Sequence, residues 1–267
     1  MPHITIGGES VYYECPHEIG GPTPGARILF IHGPGADHRL FADQLRFFGP
    51  SQTPIALDLL GHGQSKGEAL EDVPDWASFL EEFIDTLGLA PVVLVGHSLG
   101  GAIAIEYASR HPRRVEGLVL IGTGITFPWA ADTAADLLED PEGFLENHAL
   151  RGLREPHMPM PAEALKAARA EQRPMSSMRD FVAAAKWDAS SRLGLIQTPT
   201  LIIYGEDDPI VEQAGQLLGA IPHASFDTIP LSRHFPHLEM PDILNDSLNR
   251  FVTIVPDLTY MAGGTEP

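Results

Sequence analysis

Short, unbroken apolar runs alternate along this chain with longer stretches whose apolar residues recur every three or four positions. Near the N-terminus, "ITIG" and "VYYEC" read as two strands of a hairpin around Gly7 and Gly8. After the linker "GGPTPGA" come "RILFIHG", a helix-like stretch ending near Phe48, and "TPIALDLL". A helix over "DWASFLEEFIDTLG" closes at Gly88. Then "PVVLVGHS", a helix "GGAIAIEYASRH" and "VEGLVLIGTG" follow in turn. Continuous apolar strands separated by amphipathic helices predict an α/β fold built on a parallel sheet covered on both faces.

The rhythm breaks over residues 125–188. No strand-like run occurs there, only helical pieces such as "ADTAADLLED", "PEGFLENHAL", "PAEALKAARAEQ" and "MRDFVAAAKWD". This stretch is expected to be a helical insertion over one end of the sheet. The strand–helix alternation resumes with "TPTLIIYGEDD", "VEQAGQLLGAI", "ASFDTIPL" and a last helix from Pro241 to Val255. Residues 1–124 and 189–257 thus form the core, and residues 258–267 are expected to fray.

Composition narrows the function. The 267 residues suit one large α/β domain or two small ones, and 43% hydrophobic content is that of an ordinary globular protein. With 17 basic and 36 acidic residues the net charge is −19, which disfavours nucleic acid, anionic membranes and polyanionic substrates. The expected partner is a small-molecule substrate. A single cysteine, Cys15, no basic-then-apolar leader and no apolar run near ~20 residues fit a cytoplasmic protein.

The strongest chemical signal is "VLVGHSLGGAIAIEYA". Gly96, Ser98 and Gly100 match a G-x-S-x-G elbow lying between an expected strand and an expected helix. Such a turn strains the serine backbone, requires small neighbours, and exposes the hydroxyl above a helix N-terminus. A nucleophilic serine needs a base, and the base an orienter. Asp207 and Asp208 follow the strand in "LIIYGEDDPIV", and His234 lies in "PLSRHFPHLEMP". The chain order is then Ser, Asp, His.

At this point the sequence resembles the α/β-hydrolases, in the broad group of esterases, C–C hydrolases, enol-lactonases and haloperoxidase-like enzymes. The likeness runs from Ile28 to Val255, through "FIHGPG", "LDLLGHGQS", "VGHSLGG", "PTLIIYGEDDPIV" and "RHFPHLEMP". It implies a mostly parallel eight-stranded sheet with helices on both faces and a helical cap. It also implies Ser98 as nucleophile, Asp208 rather than Asp207 as the acid, and His234 as the base. His237 and Glu239 become structural neighbours. Arg233 stands where the family usually has glycine. His32, His62 and His97 take structural readings, Asp58 accepts hydrogen bonds from the turn "GHGQS", and Glu106 with Arg110 forms a surface pair. No cofactor and no metal are implied.

The resemblance places oxyanion donors at the N–H of Leu99 and of the residue after His32-Gly33. That residue is Pro34, which has no N–H. Gly35 or Gly33 is expected to donate instead. The alternatives are a slower enzyme with a side-chain donor or a water, and a reaction needing little oxyanion stabilisation. The insertion supplies candidate pocket residues Phe127, Trp129, Met158, Met178 and Phe181. The leading expectation is a serine hydrolase of a small to medium apolar carboxylic ester. The runner-up is a C–C hydrolase or enol-lactonase of aromatic-compound degradation, which Arg151, Arg154 or Arg179 facing Ser98 would favour. A catalytically silent ligand-binding protein is the third reading.

Overall fold

In a computed structural model, eight strands form one sheet in the order β1-β2-β4-β3-β5-β6-β7-β8. The structure describes residues 2–141, 143–144, 150–154, 159–169 and 173–262. Strands β1 (His3–Ile6) and β2 (Glu9–Glu14) make the N-terminal hairpin, and β2 runs antiparallel to both β1 and β4 (Thr53–Leu57). The remaining pairings are all parallel and involve β3 (Arg27–Ile31), β5 (Val92–His97), β6 (Val115–Ile121), β7 (Thr200–Gly205) and β8 (Ala224–Ile229).

The unbroken apolar runs are explained by cover on both faces. In β3, Leu29 and Ile31 enter one core while Ile28 and Phe30 enter the other, and β5 divides Val92 and Leu94 from Val93 and Val95 in the same way. Helices α2 (Val73–Leu87) and α3 (Leu99–Arg110) cover the first face. Helix α1 (Ala42–Phe48), through Phe48, and α9 (Pro241–Ala262), through Leu244, Leu248 and Phe251, cover the second. Helix α2 ends at Gly88, whose φ of 62° is the left-handed cap that glycine permits.

Between β6 and β7 lie α4 (Ala130–Glu139), α5 (Pro159–Arg169) and α6 (Pro174–Lys186). An antiparallel bridge pairs Thr126 with Asp188, and Ala189 N donates to Ile125 O at 3.0 Å, so the two ends of this segment meet. Its apolar side chains, among them Phe127, Leu137, Phe181 and Trp187, merge with the sheet core. Helix α7 (Ala214–Ala220) follows β7 after a 3-10 turn, Val211–Gln213, so the single expected helix there is two pieces. A short helix, α8 (Pro236–Glu239), precedes α9.

One boundary differs from expectation. Helix α9 continues to Ala262, past Pro256, rather than ending at Val255 with a frayed tail from 258. Proline removes one backbone donor from a helix without compelling it to stop. Residues 263–267 and most of "PEGFLENHAL" lie outside the described residues.

The chain leaves β3 for one side of the sheet and β5 for the other. The C-terminal ends of these two neighbours, paired at Ile31 and Gly96, therefore open a crevice. Among the described residues, no helix is long and apolar enough to cross a membrane.

Candidate active site

Ser98 sits at the tip of β5, immediately before α3, with φ 54° and ψ −118°. A non-glycine residue at positive φ costs roughly 1–2 kcal/mol, so surrounding structure must hold it there. Its own N–H donates to Ile121 O at 2.9 Å, and its carbonyl accepts the N–H of Gly101 at 2.9 Å. The flanking glycines are required by close approach. A Cβ at Gly96 would collide with Gly100 and Gly101, and one at Gly100 with the carbonyl of Ile31.

Asp208 and His234 come from the loops after β7 and β8. His234 Nδ1 donates to Asp208 Oδ2 at 2.9 Å, and the other oxygen, Oδ1, accepts the N–H of Ile210 at 3.0 Å. With Nδ1–H committed to the carboxylate, Nε2 is the nitrogen left to exchange a proton. Neighbouring Asp207 points away to Arg154 at 3.1 Å. The histidine loop is held by its backbone. His97 Nε2 donates to His234 O at 2.8 Å, and His234 N donates to Gly152 O at 2.9 Å. Glu239 accepts the N–H of Arg233 at 2.9 Å and of Arg154 at 2.6 Å, while burial pushes its pKa up. His237 is fully buried beside these rings, and burial pulls its pKa down to about 3, so it is neutral.

The loop after β3 is equally constrained. His32 Nδ1 donates to Gly33 O at 2.8 Å and its Nε2 accepts the N–H of Leu59 at 3.1 Å, which defines a neutral tautomer. Burial, and then His62, lower its pKa to about 4. Gly35 is not free to serve an oxyanion, because its N–H donates to Asp180 Oδ2 of α6 at 2.9 Å. That corrects one of the two expected donors. The other, Gly33, lines the same cavity as Ser98, and its N–H has no acceptor among the described residues. Asp58 accepts from His38 N, His38 Nδ1 and Gln64 N at 2.8, 2.7 and 2.8 Å. Asp37, His38 and Asp58 crowd together, but the carboxylate oxygens already accept from Arg39, His38 and Gln64.

A cavity of about 280 Å³ opens over Ser98 and His234, and most of its wall is apolar. Trp129 and Phe181 line it, as do Arg151 and Arg233. Phe127 instead packs beneath Trp129, with ring centroids 5.9 Å apart, and Met178 packs against the core. Neither is part of the cavity wall, because both pack with the core. Met158 lies outside the described residues.

The model of the alpha/beta hydrolase family matches residues 28–247, most of the chain. This protein belongs to that family. The hydrolase is 27% identical over 251 residues to the (E)-2-((N-methylformamido)methylene)succinate hydrolase of Acinetobacter baylyi, covering 87% of this chain and 92% of the relative. It is also 27% identical over 269 residues to the biotin biosynthesis bifunctional protein BioHC of Teredinibacter turnerae. That match covers 88% of this chain but 46% of the relative's length. Among solved structures, the enol-lactonase of Burkholderia xenovorans LB400 shares the fold with a TM-score of 0.86 and 21% identity, over 94% of this chain and all of that one.

Three features of the hydrolase's site escaped the sequence. Gly122, at φ 54°, backs the Asp208–His234 pair so closely that a Cβ would stand 2.9 Å from the carboxylate and 3.0 Å from His234 Nδ1. Its only local sign was the "GTG" after β6. Asp180 joins the β3 loop from 145 residues away. Glu106 is not at the surface. It is 2% exposed, because Arg192 covers it from outside α3 while Arg110 pairs with it from within.

Proposed function

We propose that the protein is a serine hydrolase that cleaves a small to medium carboxylic ester through an acyl-enzyme on Ser98. The Asp208–His234 pair, beside Ser98 in a mostly apolar cavity, is the observation that carries this reading. Neutral His234 takes the Ser98 proton as the oxygen attacks the carbonyl, then returns it to the leaving alcohol. A water deprotonated by the same nitrogen releases the acid and restores Ser98. Asp208 holds the imidazole tautomer and stabilises the imidazolium. The N–H of Leu99, at the first turn of α3, and the N–H of Gly33 are the two donors for the tetrahedral oxyanion. The segment over residues 125–188 acts as a cap that chooses the substrate through Trp129 and Phe181.

A second reading, hydrolysis of a C–C bond or an enol-lactone with the same three residues, is favoured by Arg151 in the cavity wall. Of the three candidate arginines, Arg154 is paired with Asp207 and Arg179 with Glu68. The relative from Acinetobacter baylyi is named for a succinate derivative, an acidic substrate. A fluorophosphonate probe is expected to label Ser98 in the native protein and to fail in His234→Ala. Absence of labelling, or labelling unaffected by that substitution, would overturn both readings.

A further inference from the structure

We infer that Arg151 and Arg233 together form a carboxylate-binding subsite beside His234, so that the substrate carries an acidic group distinct from the carbonyl under attack. This rests on the hydrolase reading for the reaction, but the subsite itself stands on the wall of the cavity.

Both arginines line the cavity that holds Ser98 and His234. The backbone brings them together. His234 N donates to Gly152 O at 2.9 Å, which sets the residue after Arg151 against the residue after Arg233. Glu239 then clamps both segments, one oxygen on Arg233 N and the other on Arg154 N. This half-buried carboxylate fixes where the two guanidinium-bearing stretches lie through their backbones.

Among the described residues, the nearby acids are engaged elsewhere. Asp207 and Glu206 face Arg154 at 3.1 and 3.5 Å, and Asp208 is taken by His234 and Ile210. Neither the Arg151 nor the Arg233 guanidinium has a hydrogen-bond or carboxylate partner among the described residues, and Nε of Arg233 is buried without one. A buried guanidinium N–H without an acceptor is costly, and two like charges on one wall repel. In a chain of net charge −19, two cations without a carboxylate partner among the described residues, in a mostly apolar wall, are complementary to an anion that arrives with the ligand. The guanidinium fork fits both carboxylate and phosphate, and a cavity of about 280 Å³ suits a short dicarboxylate half-ester.

The test compares mono(4-nitrophenyl) adipate with its methyl ester, 4-nitrophenyl methyl adipate. The native enzyme is expected to favour the acid about tenfold or more in kcat/KM, mainly through KM. In Arg151→Gln and in Arg233→Gln the acid-to-methyl-ester ratio falls severalfold, and in the double variant it approaches one. A native ratio of one or below, or a ratio kept by the double variant, overturns the subsite. Arg151 is exposed, so its variant is informative even if Arg233→Gln folds poorly. Binding is read separately by calorimetry of adipate and of inorganic phosphate on Ser98→Ala. Adipate is expected to bind and to weaken about tenfold when both arginines are replaced. Tighter binding of phosphate than of adipate, or adipate binding indifferent to the arginines, rejects a carboxylate site. Failure of the hydrolase reading shows instead as an unlabelled Ser98 while adipate still binds.

Discussion

Asp180, on helix α6, accepts the backbone N–H of Gly35 at 2.9 Å, so a side chain from between β6 and β7 holds the loop after β3. The same oxygen lies 2.8 Å from His62 Nε2, and both side chains are within 1% of full burial. His62 Nδ1 donates to Leu60 O at 3.0 Å. Although burial opposes it, the Asp180 carboxylate raises the pKa of His62. Three segments distant in sequence therefore meet at one carboxylate.

Removing that carboxylate leaves the buried His62 imidazole and the buried N–H of Gly35 without their partner. Asp180→Ala is expected to cost roughly 3–5 kcal/mol of stability. Asp180→Asn keeps an acceptor for Gly35 and an amide for neutral His62, so its loss should be less than half as large. Urea unfolding of the two variants measures the difference. Equal losses would show that the charge, not the acceptor, is what the site requires.

Acid should destabilise the fold through two other histidines. Burial holds His32 at about 4 and His237 at about 3, whereas both return to ~6.5 on unfolding. Between those values the unfolded chain binds protons that the folded chain does not. Their contribution is complete above pH ~6.5 and lost as pH falls, on the order of 3 kcal/mol from each by pH 4. His62 has the opposite sign: its raised pKa contributes below pH ~6.5 and is lost as pH rises through the folded value. His237, packed against the rings of His97 and Phe41, has no hydrogen-bond partner for either nitrogen among the described residues. His237→Leu is expected to lower the slope of stability against pH by about one proton between pH 6 and 4. An unchanged slope in urea titrations over that range would count against a neutral His237.

The strands were legible because each is covered on both faces, so β3 and β5 appear as unbroken apolar runs rather than alternating ones. Ser98, Asp208 and His234 could be picked out as candidates because each lies within a few residues of the strand end that presents it. What pairs across the fold leaves no such local trace. The bond from Gly35 to Asp180 is set by how α6 packs, and a proline beside Gly35 pointed only to the missing donor. Glu106 and Arg110, four apart on a helix, have the spacing of a surface pair, and nothing nearby announces Arg192. The last helix, expected to end at Val255, runs on through Pro256 to Ala262.

Gly122 stands behind Asp208 and His234 with no room for a methyl group. Gly122→Ala would set a Cβ 2.9 Å from Asp208 Oδ2 and 3.0 Å from His234 Nδ1, and would add about 1 kcal/mol of backbone strain at φ 54°. The pair must then separate. A fall in kcat of about 10²–10³ is expected, with the fold retained by circular dichroism. Ester hydrolysis at native rates would show that the Asp208–His234 contact is dispensable.

With no N–H at Pro34, Leu99 and Gly33 are the backbone donors proposed for the oxyanion. Gly35 is occupied by Asp180, and Gly33 approaches Ser98 so closely that a Cβ would lie 3.1 Å from Ser98 Cβ and 3.1 Å from His97 Nδ1. Losing one oxyanion donor costs ~2.7–4 kcal/mol, or 10²–10³ in kcat. If Gly33 donates, Pro34→Gly restores nothing that is lacking, and kcat should stay within about tenfold of native. Gly33→Ala should instead push the loop off Ser98 and lower kcat by about 10–10², with a much smaller change in KM. Both constants come from steady-state hydrolysis of one 4-nitrophenyl ester. A rise of ~10² in Pro34→Gly would mean that the native loop lacks a donor and that Gly33 does not face the oxyanion.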